Sequence, residues 1–239
     1  MASPTRFLSG VATASASTPL GSYPFPDPFH TGGTSGLDVT TYDNDFFTIG
    51  STTLDWTLTG TPTFAIVDGV GGVAKITPSG VSTVATVAVA ANGFQFVAGQ
   101  KVWYVCRIQA SAVAGNVAFR FGLQNGTGAT PTGGLWFTKP ASSTSLNLVS
   151  TVNSSATTLV TGVATAAAAT YLDVGFYYDG TDILVYANDV TVARITAPTI
   201  GSTGTTLTNA VLTPGFQITP TATDTLSIDY VLAAQETAR

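Results

Sequence analysis

The chain of 239 residues carries only 9% charged residues, a net charge of −5, and one each of Glu, His and Cys: Glu236, His30 and Cys106. A glycosidase built on paired carboxylates would need Asp for at least one of them, a Ser-His-Asp triad would have to use His30, and a Cys/His zinc site would have two ligands to draw on, so the inventory reads as non-enzymatic, with no metal and no cofactor. Eight scattered basic residues offer no patch for nucleic-acid phosphates, and no run of about 18 apolar residues offers a membrane span.

Residues 1–36 read as a separate arm. Its first apolar patch is broken at Gly10, Thr13 and Ser15, so it is not read as a secretory leader. Pro19, Pro24, Pro26 and Pro28 fall within ten residues, and each removes an amide donor and holds its predecessor extended. Phe7, Leu8, Leu20, Tyr23, Phe25 and Phe29 are too apolar for a solvated linker. An extended arm with spaced aromatics is expected to lie in a groove, on its own domain or on a neighbour, with His30 to Gly36 as hinge.

Residues 37–239 read as one sandwich domain, and from about 37 to 235 the period is two, the mark of strands. Val117, Phe119, Phe121 and Leu123 alternate with polar or small residues, as do Leu172, Val174, Phe176 and Tyr178, and again Leu226, Ile228, Tyr230 and Leu232. Strands are expected over 45–49, 54–59, 63–67, 71–77, 82–89, 102–108, 117–124, 134–138, 144–152, 157–163, 172–178, 183–187, 190–195, 215–219 and 226–232. Short Gly, Asn, Asp and Pro connections separate them, the pattern of an all-β antiparallel sandwich. Asp179 to Asp182 and Asn188-Asp189 read as hairpin turns joining three successive strands.

Four groups of side chains invite a chemical reading. Asp179, Asp182 and Asp189 offer oxygens of the kind Ca²⁺ takes, but Asp and Asn are favoured in turns because they accept from local amides, and the turn reading is preferred. Cys106 alternates with Val102, Tyr104 and Ile108 and is expected inside. Trp103, Trp136, Tyr177 and Tyr186 are core aromatics or a sugar platform, with Trp136 the one expected to be exposed, because it follows the Gly-rich loop 126–134. Arg107, Arg120, Asp173 and Asp229 occupy non-core positions and are expected to pair across strands of one sheet.

The hairpin Gly175-Phe176-Tyr177-Tyr178-Asp179-Gly180 with Ile183 to Val190 resembles the concanavalin-A-like lectin/glucanase jelly roll. Gly71 to Thr77, Phe119-Arg120-Phe121-Gly122-Leu123 with Gly134 to Lys139, and Leu226 to Val231 are similar to tailed-bacteriophage virion proteins built on that sandwich. The glucanase branch carries a Glu-x-Asp-x-(x)-Glu strand, which a chain with Glu236 alone does not contain. The resemblance implies a non-enzymatic capsid decoration or cement subunit on the outer surface of the virion, present in the host cytoplasm before assembly. Its partners would be the major capsid protein and further copies of itself, as a trimer or dimer, with the arm as the docking element. The alternative is a carbohydrate-binding lectin-like module of a head fibre or adhesin, with Trp136 facing the glycan.

Overall fold

The computed structural model describes residues 39–49, 54–67, 72–91, 93–126 and 130–236. The expected arm, with Phe7, Leu8, Leu20, Tyr23, Phe25 and Phe29, and the expected boundary at residue 36 lie outside them. In chain order the strands are β1 (Val39–Asn44), β2 (Trp56–Thr59), β3 (Thr63–Val67), β4 (Val73–Thr77), β5 (Ala85–Val89), β6 (Val102–Ala110), β7 (Ala118–Gln124), β8 (Gly134–Lys139), β9 (Ser145–Val152), β10 (Ser155–Thr165), β11 (Leu172–Tyr178), β12 (Ile183–Ala187), β13 (Val190–Ile195), β14 (Ile200–Gly201), β15 (Leu207–Thr208), β16 (Thr213–Thr219) and β17 (Leu226–Glu236).

Two antiparallel sheets make the sandwich. One has the order β13-β12-β11-β6-β17-β4-β3, with β1 also paired to β17, and the other has the order β10-β9-β8-β7-β16-β5-β2. β17 is long enough to pair β4 with its first residues and β1 with its last. The parallel pair β14·β15 is a small third sheet, and it places Leu207 in the core.

The period-two pattern explains what goes inside. Val102, Tyr104, Cys106 and Ile108 of β6 face Phe119, Phe121 and Leu123 of β7 and Leu135 and Phe137 of β8, all at most 2% exposed. Rings connect the layers: Tyr104 stacks on Phe176 at 5.4 Å, Phe176 meets Phe137 at 6.2 Å, and Phe137 meets Phe121 at 5.7 Å. Between β11, β12 and the edge strand β13 both hairpins form as expected. Asn188 and Asp189 have φ of 46° and 66°, the left-handed pair that a two-residue turn matching strand twist requires.

The Asp cluster serves these turns. Asp179 Oδ1 accepts from the amides of Thr181 and Asp182. Asp182 accepts from the Ala197 amide at 2.8 Å and from the Arg194 guanidinium, and these two partners, the amide first, hold its carboxyl below the usual range.

The charge pairing holds for three of its four members. Arg107 Nη1 lies 3.1 Å from Asp229 Oδ2, and its Nε lies 3.6 Å from Asp173 Oδ2. A bulge in β17 at Ile228/Tyr230 lets Asp229 and Tyr230 both reach this group, and the Tyr230 hydroxyl donates to Asp173 at 2.8 Å. Arg120 departs from the expectation: β7 belongs to the other sheet. Alternation fixes a side chain's face within its own sheet and leaves open which sheet that is.

Cys106 is fully buried in the core, and burial pushes its thiol well up. Native protein is therefore expected to resist an aromatic disulfide reagent and to react only at the rate of unfolding. Stoichiometric labelling of the folded chain within minutes would contradict this packing.

Candidate functional site

The sandwich is open on one side, where β1 of the larger sheet and β2 of the smaller one come together. A cleft of about 610 Å³ lies there, lined by Tyr42, Asn44, Thr48, Asp55, Trp56 and Val89 among others. That size falls within the range of small-molecule sites, roughly 300–1,000 Å³.

Local sequence builds the cleft. Asn44 ends β1 by accepting the Phe46 amide on its side-chain oxygen at 2.8 Å, an Asx turn. Phe46 then sits at φ 54°, a left-handed conformation uncommon for a bulky residue. Its ring compensates by packing fully buried against Trp56 at 6.0 Å and Phe64 at 6.3 Å. The reversal sends the next residue outward, and Phe47 is 72% exposed. Leu54, at 78% exposed, is an apolar group on the rim.

Trp56 forms the floor. It is 2% exposed, its indole donates to the Ile49 carbonyl at 3.0 Å, and Tyr42 meets it edge-on at 6.2 Å. Asn44 Nδ2 donates to the Tyr42 hydroxyl at 3.3 Å. Burial pushes that hydroxyl up to about 12; the Asn44 bond opposes the shift, and the Asp43 and Asp55 carboxylates add to it. The cleft thus presents an aromatic and aliphatic wall, an amide, a hydroxyl and a carboxylate, and among the described residues its lining contains no Lys or Arg.

Trp136 is elsewhere, and it is not exposed as the loop argument suggested. It lies on the outer face of the seven-stranded sheet at 4% exposure. Glycines explain this: a Cβ on Gly122 would come within 2.5 Å of Trp136 Cα, and one on Gly134 would strike the indole ring. The ring therefore sits down on the sheet, with the Arg120 guanidinium 4.9 Å above its centre. Burial pushes Arg120 down to about 10. Trp103, Tyr177 and Tyr186 form a separate cluster on the outer face of the eight-stranded sheet. Sequence reading did not single out Tyr42, Asn44, Asp55 or Trp56, although Asn44 between two aspartates was a legible turn signal.

No protein-family model and no curated protein sequence matches this chain. Solved structures do. Arcelin-5, a lectin-like defense protein from Phaseolus vulgaris, is similar at 12% identity and a TM-score of 0.57, over 84% of this chain and 100% of that one. An endo-1,3-beta-glucanase from Streptomyces sioyaensis is similar at 11% identity and a TM-score of 0.57, over 87% of this chain and 100% of that one. A carbohydrate esterase from the Shiga toxin-encoding bacteriophage phi24B is similar at 18% identity and a TM-score of 0.54, over 84% of this chain and 100% of that one. The fold is the concanavalin-A-like jelly-roll sandwich expected from the hairpin. The expectation that the chain is not an enzyme is overturned: a glucanase and an esterase share this architecture. Counting Glu residues addressed one glycosidase strand, and twelve Asp remain in the sequence together with Tyr, Lys and Arg.

Tyr42 gives the site a pH signature. Its folded value of about 12 exceeds the ordinary 10.0, so folding favours the neutral phenol. That stabilisation is complete below about pH 10 and is lost as the pH rises through about 12. Tyr42→Phe is expected to flatten the loss of stability across this window by up to about 2–3 kcal/mol, read from denaturant midpoints on either side of it. Equal losses in the two proteins would show that Tyr42 is not desolvated.

Proposed function

We propose that this chain is a carbohydrate-binding, lectin-like module that takes a neutral sugar in the Tyr42–Trp56 cleft. The carrying observation is the composition of the cleft: Tyr42, Ile49 and Leu54, over the buried Trp56, give apolar surface for the C–H face of a sugar ring, while Asn44, Thr48 and Asp55 offer polar atoms to its hydroxyls. Ligand sites of this kind are mostly apolar, with a few polar groups that fix orientation. Among the described residues the lining has no basic side chain and lies beside Asp43 and Asp55, which favours neutral over acidic saccharides. The lectin-like neighbour supports the same class of ligand.

A second reading is a module displayed on a phage particle; a bacteriophage carbohydrate esterase is among the structures that share the fold. On it, the module is carried on the outer surface of a phage head, held by the major capsid protein and by further copies as a dimer or trimer. A surface rich in Thr and poor in charge suits such an assembly. Immunogold labelling of purified particles distinguishes a displayed module from a free one.

Titration calorimetry with laminari-oligosaccharides and other neutral glycans tests the main reading, with product chromatography on the same samples to follow any turnover. Binding is expected, weakened about tenfold or more by Asn44→Ala or Asp55→Ala, a loss of roughly 1.4 kcal/mol or more per side chain. Arg120→Ala, on the outer face of the seven-stranded sheet, is expected to leave it unchanged. Binding lost with Arg120→Ala and kept in the cleft variants would move the site to the Trp136 face.

A further inference from the structure

Among the described residues the two large sheets end in β13 and β3 and in β10 and β2, while β1, carrying Asp43, borders β17. An edge strand offers unpaired amides and carbonyls to any other strand, and proteins blunt such edges with bulges or charges. One side of the sandwich is blunted in this way. β10 is bulged between Thr158 and Val160 and again before Ala164, and β13 is bulged opposite Val185 and Tyr186 and carries Arg194. On the other side β2 and β3 pair with β5 and β4 one to one, without a bulge. Gly60, Thr61 and Pro62 join these two strands, and residues 56–67 contain no charged side chain.

Ile66 shows what the β3 edge lacks. Phe64 and Ile66 pair with Ile76 and Ala74 of β4, both fully buried, so Phe64 and Ile66 stand on the core side of the sheet. Phe64 is 6% exposed and meets Trp56 edge-on at 4.9 Å. Ile66, two residues on, is 40% exposed, an inward-facing side chain with solvent where a further strand would stand. Thr63 and Ala65 are exposed as well. We infer that β3 of a second copy of this chain, running antiparallel about a two-fold axis at Ala65, occupies this edge. The assignment is independent of what the cleft binds.

The strand is complementary to itself in that register. Ala65 faces Ala65 of the second copy, Thr63 faces its Val67, and Phe64 faces its Ile66, so each copy's phenyl ring covers the other's exposed isoleucine. The two eight-stranded sheets become one, and the symmetry closes the contact at two copies. Charge does not oppose it. Lys75 stands beside Ala65 on β4, which puts it three strand spacings from its mate, about 14 Å and beyond the Debye length of about 8 Å at physiological salt. Five residues of strand run about 17 Å, and two layers, β3 over β2, are about 20 Å deep. The buried area is then roughly 700 Å² in total, the size of a reversible contact rather than a permanent dimer.

Disulfide trapping of the full chain in a glutathione redox buffer tests the register. Ala65→Cys is expected to become a covalent dimer, because facing Cα atoms of antiparallel strands lie about 4.5–5.5 Å apart, within the reach of a disulfide. Cys106 is buried and takes no part. Thr63→Cys is expected to cross-link no faster than Thr181→Cys on the β11–β12 turn, whereas the double variant Thr63→Cys, Val67→Cys is trapped like Ala65→Cys. Sedimentation equilibrium of the unaltered chain is expected to show monomer and dimer in exchange between roughly 10 and 500 µM. Ala65→Lys, which sets two ammonium groups face to face, is expected to weaken the dimer about tenfold or more. Ala65→Cys trapped no faster than Thr181→Cys overturns the assignment, as does Thr63→Cys trapped as fast as Ala65→Cys. A chain that stays monomeric over that range, or a dimer indifferent to Ala65→Lys, overturns it too.

Discussion

Phe176 on β11 and Phe137 on β8 touch across the middle of the sandwich at 6.2 Å, and the rest of the molecule is arranged around that contact. Each ring is extended by a partner in its own sheet, Tyr104 behind Phe176 and Phe121 behind Phe137. Such pairs are worth about 0.5–1.5 kcal/mol each beyond the area they bury. Their larger effect is geometric: rings of fixed size set the separation and offset of two sheets that share no hydrogen-bonded strand. With few charges available, the fold relies on shape, and Gly122 and Gly134 show how closely the backbone fits even the outward-facing Trp136.

The separation of the sheets is what leaves the cleft. At the middle of the sandwich Phe137 and Phe176 fill the space, but at the open side the filling comes from Phe46, Phe64 and Trp56. Phe46 reaches that position because Asn44 turns the chain and tolerates no further strand. Tyr42 and Asn44 are therefore left at the rim, beside Asp55, which precedes Trp56 in the sequence. Residues 42–48 contribute to both: Phe46 to the aromatic packing beside Trp56 and Phe64, and Tyr42, Asn44 and Thr48 to the polar rim beside Asp55.

The alternating strands were legible because one face of each is buried. Ranges 63–67, 172–178, 183–187 and 190–195 coincide with β3, β11, β12 and β13. Legibility failed where pairing overrode composition. β1 has one inward apolar ring, Tyr42, among Thr, Asp and Asn, and it is a strand because β17 pairs with it. The Ala-Ala-Gln-Glu end of β17 is held between β1 and β6 for the same reason. Conversely, 45–49 has the aromatics of a strand, but the left-handed Phe46 divides them between core and solvent. The cleft was not legible, because its members come from β1, the start of β2 and the end of β5. Trp136 was misplaced because neighbouring glycines suggested an open loop, whereas they form the bed on which the ring lies.

The central claim is that the open edge of this sandwich, rather than the outer face of either sheet, is where a sugar meets the protein. Amide and indole chemical-shift mapping of ¹⁵N-labelled protein during titration with a neutral laminari-oligosaccharide tests it directly. The account predicts saturable shifts centred on Tyr42, the Asn44 side-chain amide, Asp55 and the Trp56 indole. Shifts centred on Arg120 and Trp136, or no saturable shift with any neutral oligosaccharide, would contradict it.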